Sequence, residues 1–346
     1  MSLNPRSLPI WDIHSPILAA LRASNRLVLV APTGSGKTTQ VPQMLLDAGL
    51  AGTRDSHHSE NGNQTKARPH PCPLPQEREN LRAVSASLID PGVATHHEDS
   101  PPLPCRKIVV LQPRRVAART VAARVAWERN SKLGGEIGYQ IRFDDQTSLG
   151  TRICFVTEGI LLRWLQDDQT LPDVGIILFD EFHERNLLSD VALALAKQLQ
   201  ETTRPDLKLA VMSATLEAKP VAKYLGDCPI LISEGQSFPV EVRYLDQHDE
   251  RPVTEQAADA VEQIANAGDE GDILVFMPGM GEINATINAL RATRAKERLA
   301  MIPLHGDLPP EEQDLAFAPN PLRKVVVATN VAETSVTIDG IRHVVD

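Results

Sequence analysis

Leu27-Val28-Leu29-Val30-Ala31-Pro32-Thr33-Gly34-Ser35-Gly36-Lys37-Thr38 is the stretch that decides the fold. Its first five residues are a short apolar run of strand character. The next seven match the glycine-rich pattern of a loop that wraps phosphate and opens a helix. Glycines let backbone N–H groups turn inward on phosphate oxygens, and the helix N-terminus adds positive potential. Lys37 reaches the outer phosphates and Thr38 offers a hydroxyl to magnesium. Thr33, Gly34, Ser35, Gly36, Lys37 and Thr38 are therefore candidate nucleotide-binding residues. A plain glycine turn before a helix is the alternative, and the strand-loop-helix setting argues against it.

A second stretch supplies what the first lacks. Ile176-Ile177-Leu178-Phe179-Asp180-Glu181 reads as a buried strand ending in two carboxylates. In open α/β sheets ligands bind at the carboxyl ends of the strands, where Asp180 and Glu181 would stand. Asp180 suits the magnesium shell, with Thr38 and Glu181 beside it. Glu181 is placed to orient or deprotonate an attacking water. An Asp-Glu pair after a strand is by itself a common loop start; beside a phosphate loop it points to hydrolysis of a nucleoside triphosphate.

Working outward, apolar runs at 27–31, 108–112, 153–156, 176–180 and 209–213 alternate with helix-like stretches such as Val116–Glu128 and Leu187–Leu199. This is the pattern of a parallel sheet with crossover helices. A second series follows Phe238-Pro239, with strands expected at 273–277, 301–304, 325–329 and 341–346 and helices at 253–266 and 281–293. The expected class is α/β, with one lobe over 1–235 and a second, incomplete one over 236–346. From about 51 to 106 the chain is rich in Pro, His, Ser, Asn and charge without periodicity, and reads as a disordered surface insertion. Its His70, Cys72, His96, His97 and Cys105 lack the paired spacing that fixes zinc.

Composition narrows the function classes. At 346 residues, 42% hydrophobic and 23% charged, the chain can bury a core in each lobe. No apolar run approaches the roughly 20 residues of a membrane span, and the N-terminus lacks the cationic start and apolar core of a secretory signal. Four scattered cysteines do not make a disulfide framework. A monomer in the cytoplasm is expected. The net charge of -10 argues against tight non-specific binding to nucleic acid but leaves room for a local basic groove.

Further motifs fall in a recognisable order. Asp180-Glu181-Phe182-His183 resembles motif II of the DEAH-box helicases of superfamily 2, with Phe in place of Ala, and the whole is most similar to the bacterial HrpB-like branch. Leu111-Gln112-Pro113-Arg114-Arg115-Val116-Ala117-Ala118 resembles motif Ia, and Thr157-Glu158-Gly159 motif Ib. Ser213-Ala214-Thr215 resembles motif III, Leu274-Val275-Phe276-Met277-Pro278-Gly279 motif IV, and the run Thr329–Gly340 motif V. The matches cover nearly the whole chain outside 51–106. The resemblance implies two RecA-like lobes binding ATP and Mg2+, with Lys37, Asp180, Glu181 and His183 as the catalytic set. It implies that Ser213 and Thr215 couple the nucleotide to a single strand of nucleic acid, RNA rather than DNA. It places Arg114, Arg115, Thr157, Glu158, Gly159, Thr329 and Asn330 along that strand, with Arg142 and Phe143 in a hairpin that also touches it. For Phe143 a core position is the alternative. Across the cleft Ser335 and Asp339 would face the nucleotide, and Arg124 and Phe317 would sandwich the adenine. The plain alternatives there are a helix-face Arg and a core Phe.

One family feature has no counterpart. The chain reaches Asp346 shortly after motif V, without the arginine-bearing motif VI that reaches the γ-phosphate. Since such an arginine is worth about 10³–10⁵ in rate, the expectation is a stretch that binds ATP but turns it over slowly. For the intact motor the resemblance implies a cycle in which ATP closes the lobes on a strand and hydrolysis reopens them. Two other readings stay open: an ATP-gated nucleic-acid binding module without turnover, and a phosphate-loop ATPase of another class.

Overall fold

The computed structural model describes residues 5–52, 106–215, 217–235, 239–244, 249–333 and 337–346. The first sheet has eight strands: β1 (Arg26–Val30), β2 (Lys107–Leu111), β3 (Ile137–Ile141), β4 (Asp144–Gln146), β5 (Ile153–Val156), β6 (Val174–Phe179), β7 (Lys208–Ser213) and β8 (Ile230–Ile232). They run in the order β4-β3-β5-β2-β6-β7-β1-β8. All pairings are parallel except the β3–β4 hairpin at one edge. A parallel sheet must be covered on both faces, and this is why its strands are apolar throughout rather than alternating.

The two faces are filled from one sequence by the pleat. Leu27 and Leu29 point to one side with Ile108, Val110, Ile176 and Leu178, under α1 (His14–Ala23), α2 (Lys37–Asp47) and α3 (Arg115–Glu128). Val28 and Val30 point to the other with Val109, Leu111, Ile177 and Phe179, under α4 (Glu158–Asp167), α5 (Leu187–Thr202) and α6 (Lys219–Tyr224). Seven of the eight strands point the same way, so their carboxyl ends gather along one edge.

After α7 (Val253–Ala267) a second sheet is formed by β9 (Asp272–Phe276), β10 (Leu299–Leu304), β11 (Arg323–Ala328) and β12 (Ile341–Val345), with α8 (Met280–Ala292) and α9 (Pro310–Asp314) between them. It is fully parallel in the order β10-β11-β9-β12. Helix α3 serves both sheets: Val121, Ala122 and Val125 belong to the first core, while Val116 joins Leu274, Ile302, Val326 and Val331 in a cluster of the second.

The α/β class and the expected strands are found, with ends within two residues. Short β8 and helices α1 and α4 add to them. Of the stretch 51–106 expected to be an insertion, residues 53–105 lie outside the described residues, while Ala51, Gly52 and Arg106 are tied into the first lobe. Ala51 is buried, Arg106 N–H donates to Gly52 O at 3.1 Å, and Gly175 must lack a Cβ because one would come within 2.0 Å of Ala51 O. His70, Cys72, His96, His97 and Cys105 lie outside the described residues. Cys154 and Cys228 are free and buried, and burial pushes the Cys154 thiol up to about 12. No helix among the described residues is long and apolar enough to cross a membrane.

Candidate nucleotide and strand site

The loop after β1 is a tight turn at the carboxyl edge. Gly34 and Gly36 take φ +81° and +90°, in the left-handed region open to glycine. Space beside Gly34 is open, whereas the underside of Gly36 is closed by Leu8, whose Cδ1 would lie 2.8 Å from an added Cβ. Ile10 N–H donates to Ser35 O at 3.2 Å, so the N-terminal segment forms the floor of the loop. Thr33 and Gly34 are exposed and Thr38 is partly buried at the start of α2, next to Lys37.

Two strands away in the sheet, β6 delivers Asp180 and Glu181 to the same edge. Lys37 Nζ lies 3.3 Å from Glu181 Oε1, with side chains only 4% and 1% exposed. Asp180 is fixed by two donors: Gln112 Nε2 at 2.6 Å and the Glu181 N–H at 2.9 Å. Burial, and next the charge of Asp180, raise the Glu181 carboxyl to about 7 against the pull of Lys37. Glu181 also sits at φ +48° and Arg185 at +51°, left-handed values that cost a non-glycine residue about 1–3 kcal/mol each and concentrate at functional turns. Phe182, where the family motif has Ala, is buried edge-on to Phe179 with ring centres 6.4 Å apart.

His183 joins this group to the end of β7. Its Nδ1 accepts the Ala214 N–H at 3.3 Å and stands 3.5 Å from Glu181 Oε2. An Nδ1 that accepts an amide has no proton to give, and Glu181 Oε2 is indeed buried without a donor. Burial, followed by the charge of Lys37, lowers the pKa of His183. Ser213 Oγ donates to Thr215 O and accepts from Thr215 N–H, each at 3.2 Å, which closes the turn after β7.

Magnesium and a nucleotide fit this donor set. Glu181 Oε2 and Ser35 Oγ are buried polar atoms without partners, and the loop beside Gly34 is open. Among the described residues there is no cluster of three or more His, Cys, Asp or Glu able to hold a metal alone. Two adjacent carboxylates and a hydroxyl suit an ion that keeps water and phosphate oxygens as its other ligands.

The residues expected along a strand are distributed unevenly. Arg114 and Arg115 stand at the start of α3 as expected, yet both are engaged. Arg114 donates to Asn330 O and to Glu184 Oε1 at 3.0 Å, and Arg115 pairs with Asp307 at 3.3 Å. Thr157 precedes α4 and Gly159 lies in its first turn with open space beside it. Glu158 is turned inward: it is buried, accepts from Ser189 Oγ at 3.0 Å, and burial raises its pKa. Phe143 is not a core ring. It is 92% exposed at φ +69°, with the Arg142 guanidinium 4.7 Å from its centre. Thr329 is buried and Asn330 exposed at the end of β11.

Ser335 lies outside the described residues, and Asp339 is exposed before β12. Arg124 is held by Glu128, and Phe317 is partly buried against the second-sheet cluster. Arg119, two turns before the end of α3, bonds Asp314 at 2.7 Å and Gln313 at 3.1 Å, which brings this helix to α9. Sequence reasoning gave no role to Gln112, Arg119, Glu128 or Glu184. Only Gln112 carried a local signal, since it directly follows β2 at the same edge as Asp180.

Residues 11–224 match the family described as DEAD/DEAH box helicase, and residues 256–346 match the helicase conserved C-terminal domain. The ATP-dependent RNA helicase HrpB of Escherichia coli (strain K12) is 38% identical over 342 residues, 98% of this chain and 36% of that protein. An ATP-dependent RNA helicase HrpA homolog of Haemophilus influenzae is 37% identical over 99% of this chain and 22% of its own length. The probable ATP-dependent RNA helicase DHR2 of Saccharomyces cerevisiae is 36% identical over 98% and 40%. The crystal structure of Escherichia coli DEAH/RHA helicase HrpB superposes with a TM-score of 0.74 at 37% identity, covering 97% of this chain and 36% of that one. The chain thus spans two fifths or less of the length of these curated relatives.

Proposed function

Since this chain belongs to the DEAD/DEAH box helicase family, we propose that it is an ATP-driven motor module acting on a single strand of nucleic acid, RNA rather than DNA. The observation that carries the reading is the sealed group of Lys37, Asp180 and Glu181 at one sheet edge, with Glu181 titrating near neutrality. A base with that pKa is poised to exchange a proton at working pH.

In this reading Thr33–Thr38 cradle the triphosphate, and Lys37 leaves Glu181 for the outer phosphates. Thr38 and Asp180, with Glu181 beside them, would hold a magnesium ion, which would supply neutralisation of phosphate charge. Gln112 fixes the orientation of Asp180. Glu181, relieved of Lys37, takes the proton of a water aligned with the γ-phosphate, the in-line geometry of phosphoryl transfer. His183, packed beside Glu181 and accepting the Ala214 N–H, links the nucleotide site to the turn of Ser213 and Thr215. The adenine lies between Arg124 and Phe317, with Ser335 and Asp339 on the ribose-phosphate side. Residues 1–235 and 236–346 act as the two lobes, which share helix α3. Arg114, Arg115, Arg142, Phe143, Thr157, Gly159, Thr329 and Asn330 line the strand. RNA is preferred to DNA in this reading because the relatives bear RNA helicase names.

The test is ATP binding and hydrolysis by the chain with and without single-stranded RNA or DNA, alongside Lys37→Ala and Glu181→Gln. Slow turnover, raised by RNA and lost in both variants, is the expected result; fast turnover would mean that the motif VI arginine is not needed. Turnover indifferent to Lys37→Ala would sink the reading, and binding without any turnover would favour the ATP-gated binding module.

A further inference from the structure

Arg124 does not stand alone on its helix. Its Nε donates to Glu128 Oε1 at 2.8 Å, and its guanidinium carbon lies 5.0 Å from the centre of the Trp127 ring. Glu128 is itself anchored: its side chain is 5% exposed, and Oε2 accepts from Gln40 Nε2 at 2.8 Å and Gln43 Nε2 at 2.9 Å. Both glutamines belong to α2, the helix that opens at Lys37. Gln40 Oε1 in turn accepts from Trp11 Nε1 at 3.3 Å, in the segment that floors the phosphate loop. One continuous set of hydrogen bonds therefore joins the loop floor and the phosphate-loop helix to the Arg124 guanidinium.

Helix stability does not account for this arrangement. An Arg four residues before a Glu is the weaker order for a helical ion pair, since the acidic partner favours the N-terminal position. Trp127 is also a large ring left 64% exposed with the Arg124 guanidinium as its neighbour, while Arg124 itself stays about half exposed.

We propose that Glu128 and Trp127 are positioning residues for the nucleobase, holding the Arg124 guanidinium as a fixed plane on which the adenine ring stacks. The inference rests on the reading of Arg124 as the first-lobe side of the adenine sandwich. A free arginine loses rotamer entropy when it stacks, and that loss is smaller for one already fixed. Glu128 fixes the Nε edge, and the Trp127 indole lies against the guanidinium carbon in a cation–π contact. The half-exposed guanidinium is left open to a flat heteroaromatic ring.

The experiment is calorimetric titration of the 346-residue chain with ADP and, separately, with inorganic tripolyphosphate, both with Mg2+. Both ligands engage the phosphate loop, and only ADP carries a base. Trp127→Ala, at an exposed position, and Glu128→Gln, nearly isosteric, should each weaken ADP by about tenfold. Tripolyphosphate should change by less than about twofold in either variant. Equal losses for the two ligands would overturn the proposal, because the residues would then act through the fold, and so would an unchanged ADP affinity. Lys37→Ala separates the inference from the reading beneath it. If Lys37→Ala abolishes both ligands while the other two variants are silent, only the positioning role falls. If it alters neither ligand, the nucleotide does not sit on this loop and both fall.

Discussion

Lys37 Nζ and Glu181 Oε1 lie 3.3 Å apart inside a group almost closed to solvent. A buried pair of this kind is weak evidence for stability and better evidence for a site, because desolvation offsets most of the attraction. The two residues should therefore separate cleanly by function. Lys37→Ala removes the cation that meets phosphate and should abolish ATP binding. Glu181→Gln keeps the shape of the site and should retain ATP while lowering turnover by about 10²–10⁴, the range for loss of a general base. Calorimetry for binding and single-turnover kinetics for chemistry check the split; loss of binding in Glu181→Gln would make the carboxylate a ligand rather than a base.

The pH profile follows from the same geometry. With the Glu181 carboxyl raised to about 7 by burial and by Asp180, the unliganded protein holds it half protonated at neutral pH. Only the ionised form accepts a proton, so kcat/KM for RNA-stimulated hydrolysis should rise with pH through a midpoint of about 7, since that ratio reports the free protein. His183, whose pKa is lowered by burial and by Lys37, is already neutral there. His183→Gln should keep the limb while weakening the RNA stimulation that its bond to Ala214 transmits. Disappearance of the limb in that variant would transfer the titration to the imidazole.

Arg115 and Asp307 form an exposed pair, 49% and 77% open to solvent at 3.3 Å. Such pairs contribute little, so Arg115 can exchange its carboxylate for a strand phosphate at small cost. Asp307→Asn frees the guanidinium and removes a negative charge from the strand path. Affinity for single-stranded RNA should rise about threefold at low salt and return to the parent value near about 0.5 M salt, where screening removes the difference. Fluorescence anisotropy across a salt series measures it. No change at low salt would mean that Arg115 does not reach the strand.

What the sequence made legible was local. The apolar runs that became β1, β2, β5 and β6 needed only their own residues, and the phosphate loop and Asp180-Glu181 were located because each directly follows such a run. What escaped it was held by distant partners. The motif resemblance places Glu158 along the strand, whereas the side chain is buried on Ser189, 31 positions on. Glu128 is made a hub by Gln40 and Gln43, 88 and 85 positions before it. Arg119 meets Asp314 across 195 residues. No period of 2 or 3.6 encodes such distances. Phe143 was balanced between core and surface because a lone ring beside an arginine fits both, and the turn at φ +69° decides for the surface.

Arg204 gives a prediction about the scaffold that is independent of the nucleotide. It is buried after α5, where Nη1 donates to Thr170 O at 2.8 Å and Leu171 O at 2.6 Å, and Nη2 to Val174 O at 2.8 Å. Its remaining donors grip Asp206 at 2.9 Å, and Arg106 meets the same carboxylate. Arg204→Met fills similar volume but takes a guanidinium donor from three carbonyls at the entry to β6, of which Leu171 O keeps only the Val174 N–H at 3.0 Å, so it should cost about 3 kcal/mol, seen as a lower urea midpoint. Asp206 adds a pH signature. Arg204, aided by the charge of Arg106, holds its carboxyl at about 2, below the ordinary 3.8. A depressed acid contributes stability that is fully present above the unfolded value and fades as pH falls through the folded one. The difference in urea midpoint between the parent and Asp206→Asn should therefore be constant from pH 7 to about 5 and shrink between about 4 and 2. A difference that persists at pH 2 would assign the effect to packing rather than to the ionised pair.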